Sequence, residues 1–291
     1  MKQITTASYI NGQESLDPFK QKISRDLVKV LADFIKRETL RFGIKKLVIG
    51  LSGGIDSTVS AYLAAKSVKP ENVFGLIMPY AESDPVSLKH ALKVVNILNI
   101  KSKIINLTPC VKALSENDPS LLRDRIRKGN ILARLRMLLL FDYSNKYNAL
   151  VLGTGNKTEI LLGYTTLYGD SASAINPLGD LYKTQVWQLA ELLKCPREII
   201  KKKPSADLWR GQSDEGELGF TYKDVDRLLY YMVDQKYGDD ELIAIGFKRS
   251  FISKIRKIIR RNQYKRVPPV IAKISNRTVN VDFRYNRDWG T

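Results

Sequence analysis

Histidine and cysteine are almost absent from this chain of 291 residues, which contains one histidine and two cysteines. Zinc sites are built mostly from these two residue types, so a zinc site is not expected. Cys110 and Cys195 lie far apart in the sequence, which argues against a disulfide framework and favours a reduced, cytoplasmic protein. The single histidine, His90, falls within a helix that we expect at the surface.

Long apolar runs are also missing. The densest run, Leu138 to Phe141, is far shorter than the roughly 20 residues that a membrane-spanning helix needs. The first residues lack the basic-then-apolar pattern of a signal peptide. These features predict no membrane association. The apolar fraction of 44% is sufficient for one large α/β domain or two small ones.

Acidic residues are the minority among the charged residues, 30 against 48 basic ones, and the net charge is +18. Such a surplus is typical of proteins with an anionic partner, either a nucleic acid or a phosphorylated small molecule. A generally lysine-rich surface would have the same charge. The charge therefore leaves these alternatives open.

One stretch combines an apolar strand, a glycine pair and a helix start. Leu47 to Leu51 predicts a buried strand, Ser52-Gly53-Gly54 interrupts it, and a helix follows from Asp56. Adjacent glycines let backbone N–H groups converge, and a helix N-terminus favours negative charge, so we expect a pyrophosphate cradle rather than an ordinary Gly-Gly turn. The hydroxyls of Ser57 and Thr58, with that of Ser52, would add donors. The Asp56 carboxylate would repel phosphate unless it holds a metal, which implies Mg²⁺.

Further strands are predicted at Val73 to Met78, Ile104 to Leu107 and Ala149 to Gly153, with amphipathic helices between them. This alternation predicts an α/β fold with a doubly wound parallel sheet flanked by helices. The C-terminal part is predicted to be helical. Residues 109–128 are expected to be irregular. We predict an N-terminal arm over 1–20, a single domain over 21–270 and a C-terminal tail over 271–291.

A second polar segment, Thr154 to Glu159, follows the strand that ends at Gly153. Ligands bind beyond the carboxyl ends of the strands in such sheets, so this segment should face the glycine loop. Glu159 can then supply a second carboxylate to the metal, and Thr154 can hydrogen-bond a nucleotide. The alternative for Glu159 is a carboxylate that stabilises a helix start. The long polar segment from Tyr164 to Tyr182 is expected to be functional, and Gly211 to Gly219 suits a mobile lid or a plain acidic loop.

The six residues from Ser52 to Ser57 resemble the pyrophosphate loop of N-type ATP pyrophosphatases, and residues 20–270 resemble the ammonia-dependent NAD synthetases. The resemblance implies an adenine-nucleotide α-hydrolase-like fold. The motifs that carry it are the Ser52–Ser57 loop, Gly129-Asn130 with Arg134, Gly153-Thr154 with Glu159, Tyr168-Gly169-Asp170, Asn176-Pro177, Leu181–Thr184, Lys203–Ala206, the acidic loop from Asp214 to Gly219, and Tyr264–Arg266 with Pro268-Pro269.

The resemblance implies a reaction and the residues that carry it. The nicotinate carboxylate of deamido-NAD would attack the α-phosphorus of ATP, pyrophosphate would leave, and ammonia would attack the adenylated carbonyl to give NAD and AMP. Asp56 and Glu159 would bind Mg²⁺, and Lys183 would act with them in catalysis. The residues implied in binding ATP are Gly50, Leu51, Ser52, Gly53, Gly54, Ile55, Asp56, Ser57, Thr154, Lys183 and Ser205. Those implied in binding deamido-NAD are Arg134, Tyr264 and Lys265.

Three positions on the deamido-NAD side depart from the family pattern. Leu167 stands where the family usually has a lysine, Ala174 where it has an aspartate, and Tyr264 where it has a histidine. Each lost charged hydrogen bond would cost about 1.5–3 kcal/mol of binding unless a neighbouring group replaces it.

The resemblance also implies a homodimer, and because no glutamine-hydrolysing segment precedes the synthetase part, we expect the use of free ammonia.

Two other functions stay open. The changed acceptor side and the +18 charge fit an ATP pyrophosphatase that activates another substrate, for example a tRNA base. An idle nucleotide-binding paralogue would keep the fold without turnover, although Asp56, Glu159 and Lys183 argue against it.

Overall fold

The computed structural model describes residues 19–20, 22–41, 43–205 and 214–283. Nearly all of the predicted arm, residues 211–213 of the predicted lid and the end of the predicted tail lie outside these ranges. The division into arm, domain and tail stays a prediction. Within the described ranges, no helix combines the length and the apolar character that crossing a membrane requires.

A parallel sheet forms the centre of the molecule, and its order in the described chain is β3-β2-β1-β4. The strands are β1 (Lys46–Gly50), β2 (Val73–Ile77), β3 (Lys101–Ile104) and β4 (Ala149–Leu152). In register, Ile49 of β1 pairs with Gly75 of β2 on one side and with Leu152 of β4 on the other. The strand before the glycine loop is therefore internal to the sheet.

Helices cover both faces of this sheet and form the C-terminal part of the described chain. They are α1 (Arg25–Arg41), α2 (Ile55–Val68), α3 (Pro85–Leu98), α4 (Thr108–Asn117), α5 (Arg125–Tyr147), α6 (Lys157–Leu162), α7 (Lys183–Leu192), α8 (Arg197–Lys201), α9 (Asp214–Leu218), α10 (Tyr222–Leu229), α11 (Asp239–Ala244) and α12 (Arg249–Arg261). A π-helical turn over Tyr230–Asp234 extends α10.

The core divides along the two faces of the sheet because alternate side chains of a strand point to opposite sides. Leu47 and Ile49 pack with residues of α2, α3 and α7, whereas Val48 packs with Leu76 and with Leu132 of α5. A third cluster joins residues of α10, α11 and α12. These layers confirm the predicted doubly wound sheet with a helical C-terminal part.

Two local predictions are wrong. The segment 109–128 is mostly helical, because α4 begins at Thr108 and the Asp124 side chain accepts from the N–H groups of Ile126 and Arg127 and so begins α5 at Arg125. The third strand is Lys101–Ile104 rather than 104–107. Its residues are all exposed at the edge of the sheet, so no apolar pattern marks the strand in the sequence.

The expected surface position of His90 is also wrong, since His90 is only 7% exposed. Its helix, α3, packs against the loop after β1 so closely that a Cβ on Gly53 would lie 3.1 Å from the Cβ of His90. Burial lowers the pKa of His90, and the nearby Lys202 ammonium lowers it further. The single histidine thus supports the glycine loop from behind.

The strand order places a switch point between β1 and β4. The chain leaves β1 toward β2 on one side, and β4 joins β1 on the other. In open α/β sheets, the crevice beyond the carboxyl ends of the strands at such a point is the usual ligand site. The loops that follow Gly50 and Leu152 meet there, so the functional site is expected at this edge.

Candidate functional site

The loop after β1 is shaped by a glycine that no other residue can replace without strain. Gly53 has a φ of +74°, and a Cβ at this position would lie 2.1 Å from the carbonyl oxygen of Ser87 in α3. The backbone therefore needs both the left-handed conformation and the close approach that only glycine permits. As a result, α2 starts directly behind the turn, and no described side chain caps its first N–H groups.

Hydroxyl groups hold the loop from within. Ser57 Oγ donates to the Gly54 carbonyl over 3.1 Å and lies 3.1 Å from Ser52 Oγ. Thr58 Oγ1 donates to the same carbonyl over 2.8 Å and is buried, outside the cavity wall described below. The expectation that Thr58 adds a donor toward a ligand is therefore wrong, because its hydroxyl is used to brace the turn. The N–H groups at the uncapped start of α2 have the geometry that favours an anion.

Two carboxylates and one ammonium meet where the loops after β1 and β4 approach each other. Lys183, at the start of α7, forms an ion pair with Asp56, and its Nζ lies 3.4 Å from Glu159 Oε1. The Lys183 side chain is 3% exposed, and those of Asp56 and Glu159 are 18% and 17% exposed. The Nζ atom also lies 5.3 Å from the ring centroid of Tyr222. The three predicted catalytic residues thus form one half-buried charged cluster.

Asn156 joins the two carboxylates, and its part in the site was missed at the sequence level. Its Nδ2 donates to Asp56 Oδ1 over 3.0 Å, and its Oδ1 accepts from the Glu159 N–H over 3.0 Å. Its own N–H donates to Glu159 Oε2, which completes a capping box at the start of α6. The spacing of Asn156 and Glu159 is the sequence signature of such a box and was the signal available.

Burial and charge act in opposite directions on this cluster. Burial raises the pKa of Glu159, the neighbouring Asp56 raises it further, and Lys183 opposes both. The pKa of Lys183 is raised because its two carboxylate partners outweigh the effect of burial. The cluster therefore holds an ammonium that stays charged and a carboxyl group that binds a proton more readily than usual.

The charged cluster offers the kind of donor atoms that Mg²⁺ binds. Mg²⁺ prefers hard oxygen ligands and is usually held by one or two carboxylates together with substrate phosphates and water. Asp56 and Glu159 provide two such carboxylates beside an anion-binding loop. No group of three or more His, Cys, Asp or Glu residues with metal-binding geometry occurs within the ranges that the structure describes. The pair fits a metal that is bound mainly through a phosphate ligand.

A cavity of about 600 Å³ opens at this edge of the sheet, within the size range of small-molecule sites. Its wall includes most of the residues that the resemblance implies in binding. They are Gly50, Leu51, Ser52, Gly54, Ile55, Asp56, Ser57, Thr154, Glu159, Lys183, Ser205 and Lys265. Gly53 shapes the loop from behind this wall. Their contacts with a ligand stay predictions.

A cation on the wall of the cavity was also missed. Lys202 donates to Ser87 Oγ over 2.6 Å, and its Nζ lies 3.8 Å from Asp84 Oδ2 at the start of α3. These contacts connect the segment after α8 to the helix that supports Gly53. Within the run of lysines from 201 to 203, the sequence offers no signal that separates this side chain from its neighbours.

The residues implied in binding deamido-NAD are less concentrated than those implied for ATP. Arg134 and Tyr264 are exposed and are not part of the wall formed by the described residues. Arg134 Nε donates to the Leu167 carbonyl over 3.3 Å. Lys265 lines the cavity, but its Nζ donates to the carbonyls of Gly163 and Thr165 at 2.7 Å each. Two of these three residues thus hold the backbone of the polar segment 163–167.

Besides Tyr264, two positions depart from the family pattern, and both lie beside the cavity rather than on its wall. Leu167 is half-buried and Ala174 is exposed. Ala174 belongs to a short stretch that runs along β4, since its N–H donates to the Val151 carbonyl over 2.9 Å. The wall on this side is formed instead by neighbouring residues such as Gly169 and Ala172. In the described chain, neither Leu167 nor Ala174 therefore contributes to the surface of the cavity.

Helix α9 forms part of the cavity wall near the charged cluster. Asp214, at the start of α9, is buried and accepts from the hydroxyls of Tyr222 and Tyr164 at 3.1 and 3.3 Å. Tyr164 also donates to Glu217 over 2.6 Å. Burial raises the pKa of Asp214, and Lys183 opposes this effect. The described part of the predicted lid is therefore a short helix that lines the cavity and is held by hydrogen bonds from two tyrosines.

Comparison with known proteins gives one consistent family. The family model described as NAD synthase matches residues 27–269. The NH3-dependent NAD⁺ synthetase of Trichlorobacter lovleyi is 53% identical over 262 residues, which cover 90% of this chain and 95% of that protein. The protein of the same name from Chlorobaculum parvum is 51% identical over 260 residues, which cover 89% of this chain and 93% of that one.

Solved structures give the same relationship. The NMN synthetase of Francisella tularensis superposes with a TM-score of 0.76 at 34% identity and covers 86% of this chain and 99% of its own. The NH3-dependent NAD synthetase of Campylobacter jejuni superposes with a TM-score of 0.71 at 35% identity and the same coverage. The similarity thus extends over the sheet, the charged cluster and the C-terminal helices.

Proposed function

The chain belongs to the NAD synthase family, and on this premise we propose that it is a ligase that converts deamido-NAD, ammonia and ATP into NAD, AMP and pyrophosphate. The observation that carries the proposal is Lys183, held between Asp56 and Glu159 beside the uncapped start of α2. This arrangement supports cleavage of a nucleotide between its α- and β-phosphates.

ATP is bound through its phosphates by the loop from Gly50 to Ser57. The amides at the start of α2 and the positive end of its dipole attract the negative charge of the departing pyrophosphate. Lys183 adds a full positive charge that burial makes more effective. Thr154 and Ser205, which also line the cavity, contact the rest of the nucleotide.

The substrate carboxylate is the nucleophile, so the protein does not need a nucleophilic side chain of its own. A carboxylate oxygen of the nicotinate ring bonds to the α-phosphorus, and the bond to the pyrophosphate oxygen breaks. Ammonia then bonds to the activated carbonyl carbon, AMP leaves, and the nitrogen loses a proton. The protein contributes alignment and charge stabilisation, which together account for most of the acceleration in such reactions.

Asp56 and Glu159 would hold Mg²⁺, which when bound would neutralise phosphate charge. Asn156 keeps the two carboxylates together, because it hydrogen-bonds Asp56 and the backbone of Glu159 at once. Lys183 occupies the space between them in the described structure. Its ammonium is therefore positioned to turn from the carboxylates toward the phosphates as the nucleotide enters.

A second candidate differs in the acceptor. The Francisella tularensis relative is named an NMN synthetase, and it superposes well on this chain. Arg134 and Tyr264, implied in contacts to the dinucleotide, lie outside the cavity wall of the described chain. A smaller acceptor, the mononucleotide with the same nicotinate ring, would need fewer contacts on that side. The higher identity to NAD synthetases favours the dinucleotide.

The homodimer and the use of free ammonia are proposals that rest on the family, and the cytoplasmic location is a proposal that rests on the scarcity of cysteine. Exposed positions such as Arg134 and Tyr264 would gain contacts if a second subunit covered them. The net charge of +18 suits anionic nucleotides and does not require a nucleic-acid partner.

One assay tests the proposal against its alternatives. The full chain is incubated with ATP, Mg²⁺, ammonium and either deamido-NAD or its mononucleotide, and amide product, AMP and pyrophosphate are measured. NAD formed in equal amount to AMP supports the proposal, and faster formation of NMN supports the second candidate. If no amide forms at any substrate concentration, the proposed function is wrong. AMP formation that depends on added tRNA would indicate another substrate class, and nucleotide binding without turnover would indicate an idle paralogue.

A matched pair of variants links this activity to the cluster. Asp56→Ala should abolish pyrophosphate release, because it removes both a metal ligand and the partner of Lys183. Lys93→Ala removes an ammonium that pairs with Glu198 on an exposed part of the chain, and should leave activity within twofold of wild type. Equal losses in both variants would contradict the role of the cluster.

A further inference from the structure

A buried carboxylate outside the cavity joins the helices that carry Glu159 and Lys183. Asp226 lies on α10 and is 0% exposed, within the C-terminal cluster of apolar side chains. It is not part of the cavity wall formed by the described residues. Nothing in the reaction proposed above uses it. A charged group in such a place has a large cost of desolvation unless its oxygens are fully hydrogen-bonded.

Both oxygens of Asp226 accept hydrogen bonds from the starts of two helices. Oδ1 accepts from the hydroxyl of Thr158 in the first turn of α6. Oδ2 accepts from the N–H and the hydroxyl of Thr184 in the first turn of α7, each over 2.8 Å. These donors satisfy the carboxylate at the end of both helices where negative charge is favourable.

Thr158 extends this network to the catalytic lysine. Its Oγ1 accepts from the backbone N–H of Lys183 over 3.0 Å while it donates to Asp226. One hydroxyl therefore connects α6, α7 and α10. Glu159 is the next residue after Thr158, and Lys183 is the residue before Thr184. The carboxylate thus connects the segments that carry the two residues that form the cluster with Asp56.

The chemistry of the network explains why an acid stands there. Two hydroxyls and an N–H meet at this position and all donate to it, so a side chain that accepts at both ends preserves the observed pattern. An amide could accept from Thr184 through its oxygen, but its N–H₂ group would have to donate to Thr158 and so reverse that hydrogen bond, and an apolar side chain would leave the Thr184 N–H without an acceptor. An ionised aspartate meets the requirement, at the cost of burying a charge that stability alone does not favour.

We propose that Asp226, acting through Thr158 and Thr184, is a positioning residue that sets the distance between Glu159 and Lys183 for the transfer of the adenylyl group. It touches neither substrate nor metal. Its effect should therefore appear in the rate of the chemical step rather than in the binding of ATP. The proposal rests on the proposed function, because it concerns the same reaction.

The test uses Thr158→Val and Thr158→Ser in the full chain. Valine keeps the shape of threonine but removes the hydroxyl that links Lys183 to Asp226, whereas serine keeps it. We expect kcat for pyrophosphate release to fall at least tenfold in Thr158→Val, with KM for ATP within threefold of wild type. Thr158→Ser should keep kcat within threefold.

A remote variant separates positioning from general destabilisation. Thr39→Val removes the hydroxyl of another fully buried threonine, which donates to the Ile35 carbonyl within α1. It should lower the thermal midpoint without changing kcat. If Thr158→Val fails to fold, Thr184→Val can replace it. This variant removes another hydroxyl that donates to Asp226 and should lower kcat by a smaller factor. Unchanged kcat in a folded Thr158→Val or Thr184→Val protein would overturn the proposal.

The two proposals fail in different ways. If wild type forms no amide product and releases no pyrophosphate, the proposed function is wrong before any variant is compared. If wild type is active and a folded Thr158→Val or Thr184→Val protein matches its kcat, only the positioning role of Asp226 is wrong. A parallel rise in KM for ATP with unchanged kcat would also overturn the positioning role, because it would indicate an effect on binding.

Discussion

The side-chain amide of Asn156 donates to Oδ1 of Asp56 over 3.0 Å and so joins the loop after β4 to the loop after β1. Asn156 is fully buried and also begins α6 through the N–H of Glu159. One residue thus makes two separable contributions, as a helix cap and as the hydrogen-bond partner of the Asp56 carboxylate. A pair of substitutions can distinguish them.

Asn156→Ser keeps an N-cap acceptor but is too short to reach Asp56, whereas Asn156→Ala loses both interactions. We expect the same loss of kcat for pyrophosphate release in the two variants, about tenfold, because both leave Asp56 unsupported. The alanine variant should be less stable than the serine variant by about 1 kcal/mol, the usual value of a cap. The measurements are steady-state kinetics and thermal unfolding. Wild-type kcat in Asn156→Ser would contradict the role given to the Asp56 contact.

Gly53 offers a test of the loop with a control in the same chain. Gly53 and Gly43 both have positive φ values, +74° and +68°, but a Cβ on Gly43 meets no atom within 4 Å. Gly43→Ala should therefore show only the backbone strain, about 1–2 kcal/mol of unfolding free energy. Gly53→Ala adds a collision with the Ser87 carbonyl, so the loop must move.

We expect Gly53→Ala to raise KM for ATP by more than tenfold and Gly43→Ala to leave it unchanged. Both proteins should be compared at a temperature where circular dichroism shows them to be folded. Similar KM values in the two variants would mean that the close approach of α3 does not shape the phosphate-binding turn.

Leu167→Lys restores the residue that the family usually has at a position where this chain differs. Leu167 lies beside the cavity, and only its carbonyl is held, by Arg134. The substitution should therefore leave pyrophosphate release intact and change KM for deamido-NAD by less than about threefold. Kinetics at saturating ATP would check this. A large fall in KM would mean that the lysine reaches the dinucleotide and that the present leucine weakens its binding.

Patterns along the sequence predicted the parts of the fold in which each residue's neighbours are close in the chain. The apolar run before Ser52 and the glycine pair predicted β1, the turn and α2 correctly, because strand, turn and helix chemistry is local there. The edge strand β3 was misplaced because its exposed residues have no apolar pattern. Its position depends on pairing with β2, which is a contact between distant segments.

The same distinction applies to the site. Asp56, Glu159 and Lys183 were predicted as one group, and they do lie together. Asn156 and Asp226 were missed because their roles come from partners about 100 and 68 residues away in the chain. A buried aspartate among apolar helical residues has no local signal that separates it from a solvent-exposed one. Only the packing of α10 against the starts of α6 and α7 reveals its partners.

The pH dependence of stability should carry the signature of Asp226. Burial raises the pKa of Asp226 to about 6 in the folded protein, although bonds from Thr158 and Thr184 lower it in part. Its ordinary value in an unfolded chain is about 3.9. Because the folded pKa is the higher one, the protonated form is favoured by folding. The stability that this group contributes is complete below about pH 4 and is lost as the pH rises through about 6.

Asp226→Asn removes this titration and leaves the other ionisable groups in place. The thermal midpoint of the variant relative to wild type should therefore rise by several degrees between pH 4.5 and pH 7, which corresponds to on the order of 2 kcal/mol. A constant offset from the altered hydrogen bonds does not affect this slope. If the difference between the two midpoints stays flat over this range, Asp226 has no raised pKa. If the difference in midpoint increases with pH while kcat of Asp226→Asn stays low at every pH, the buried charge is retained for catalysis at the expense of stability.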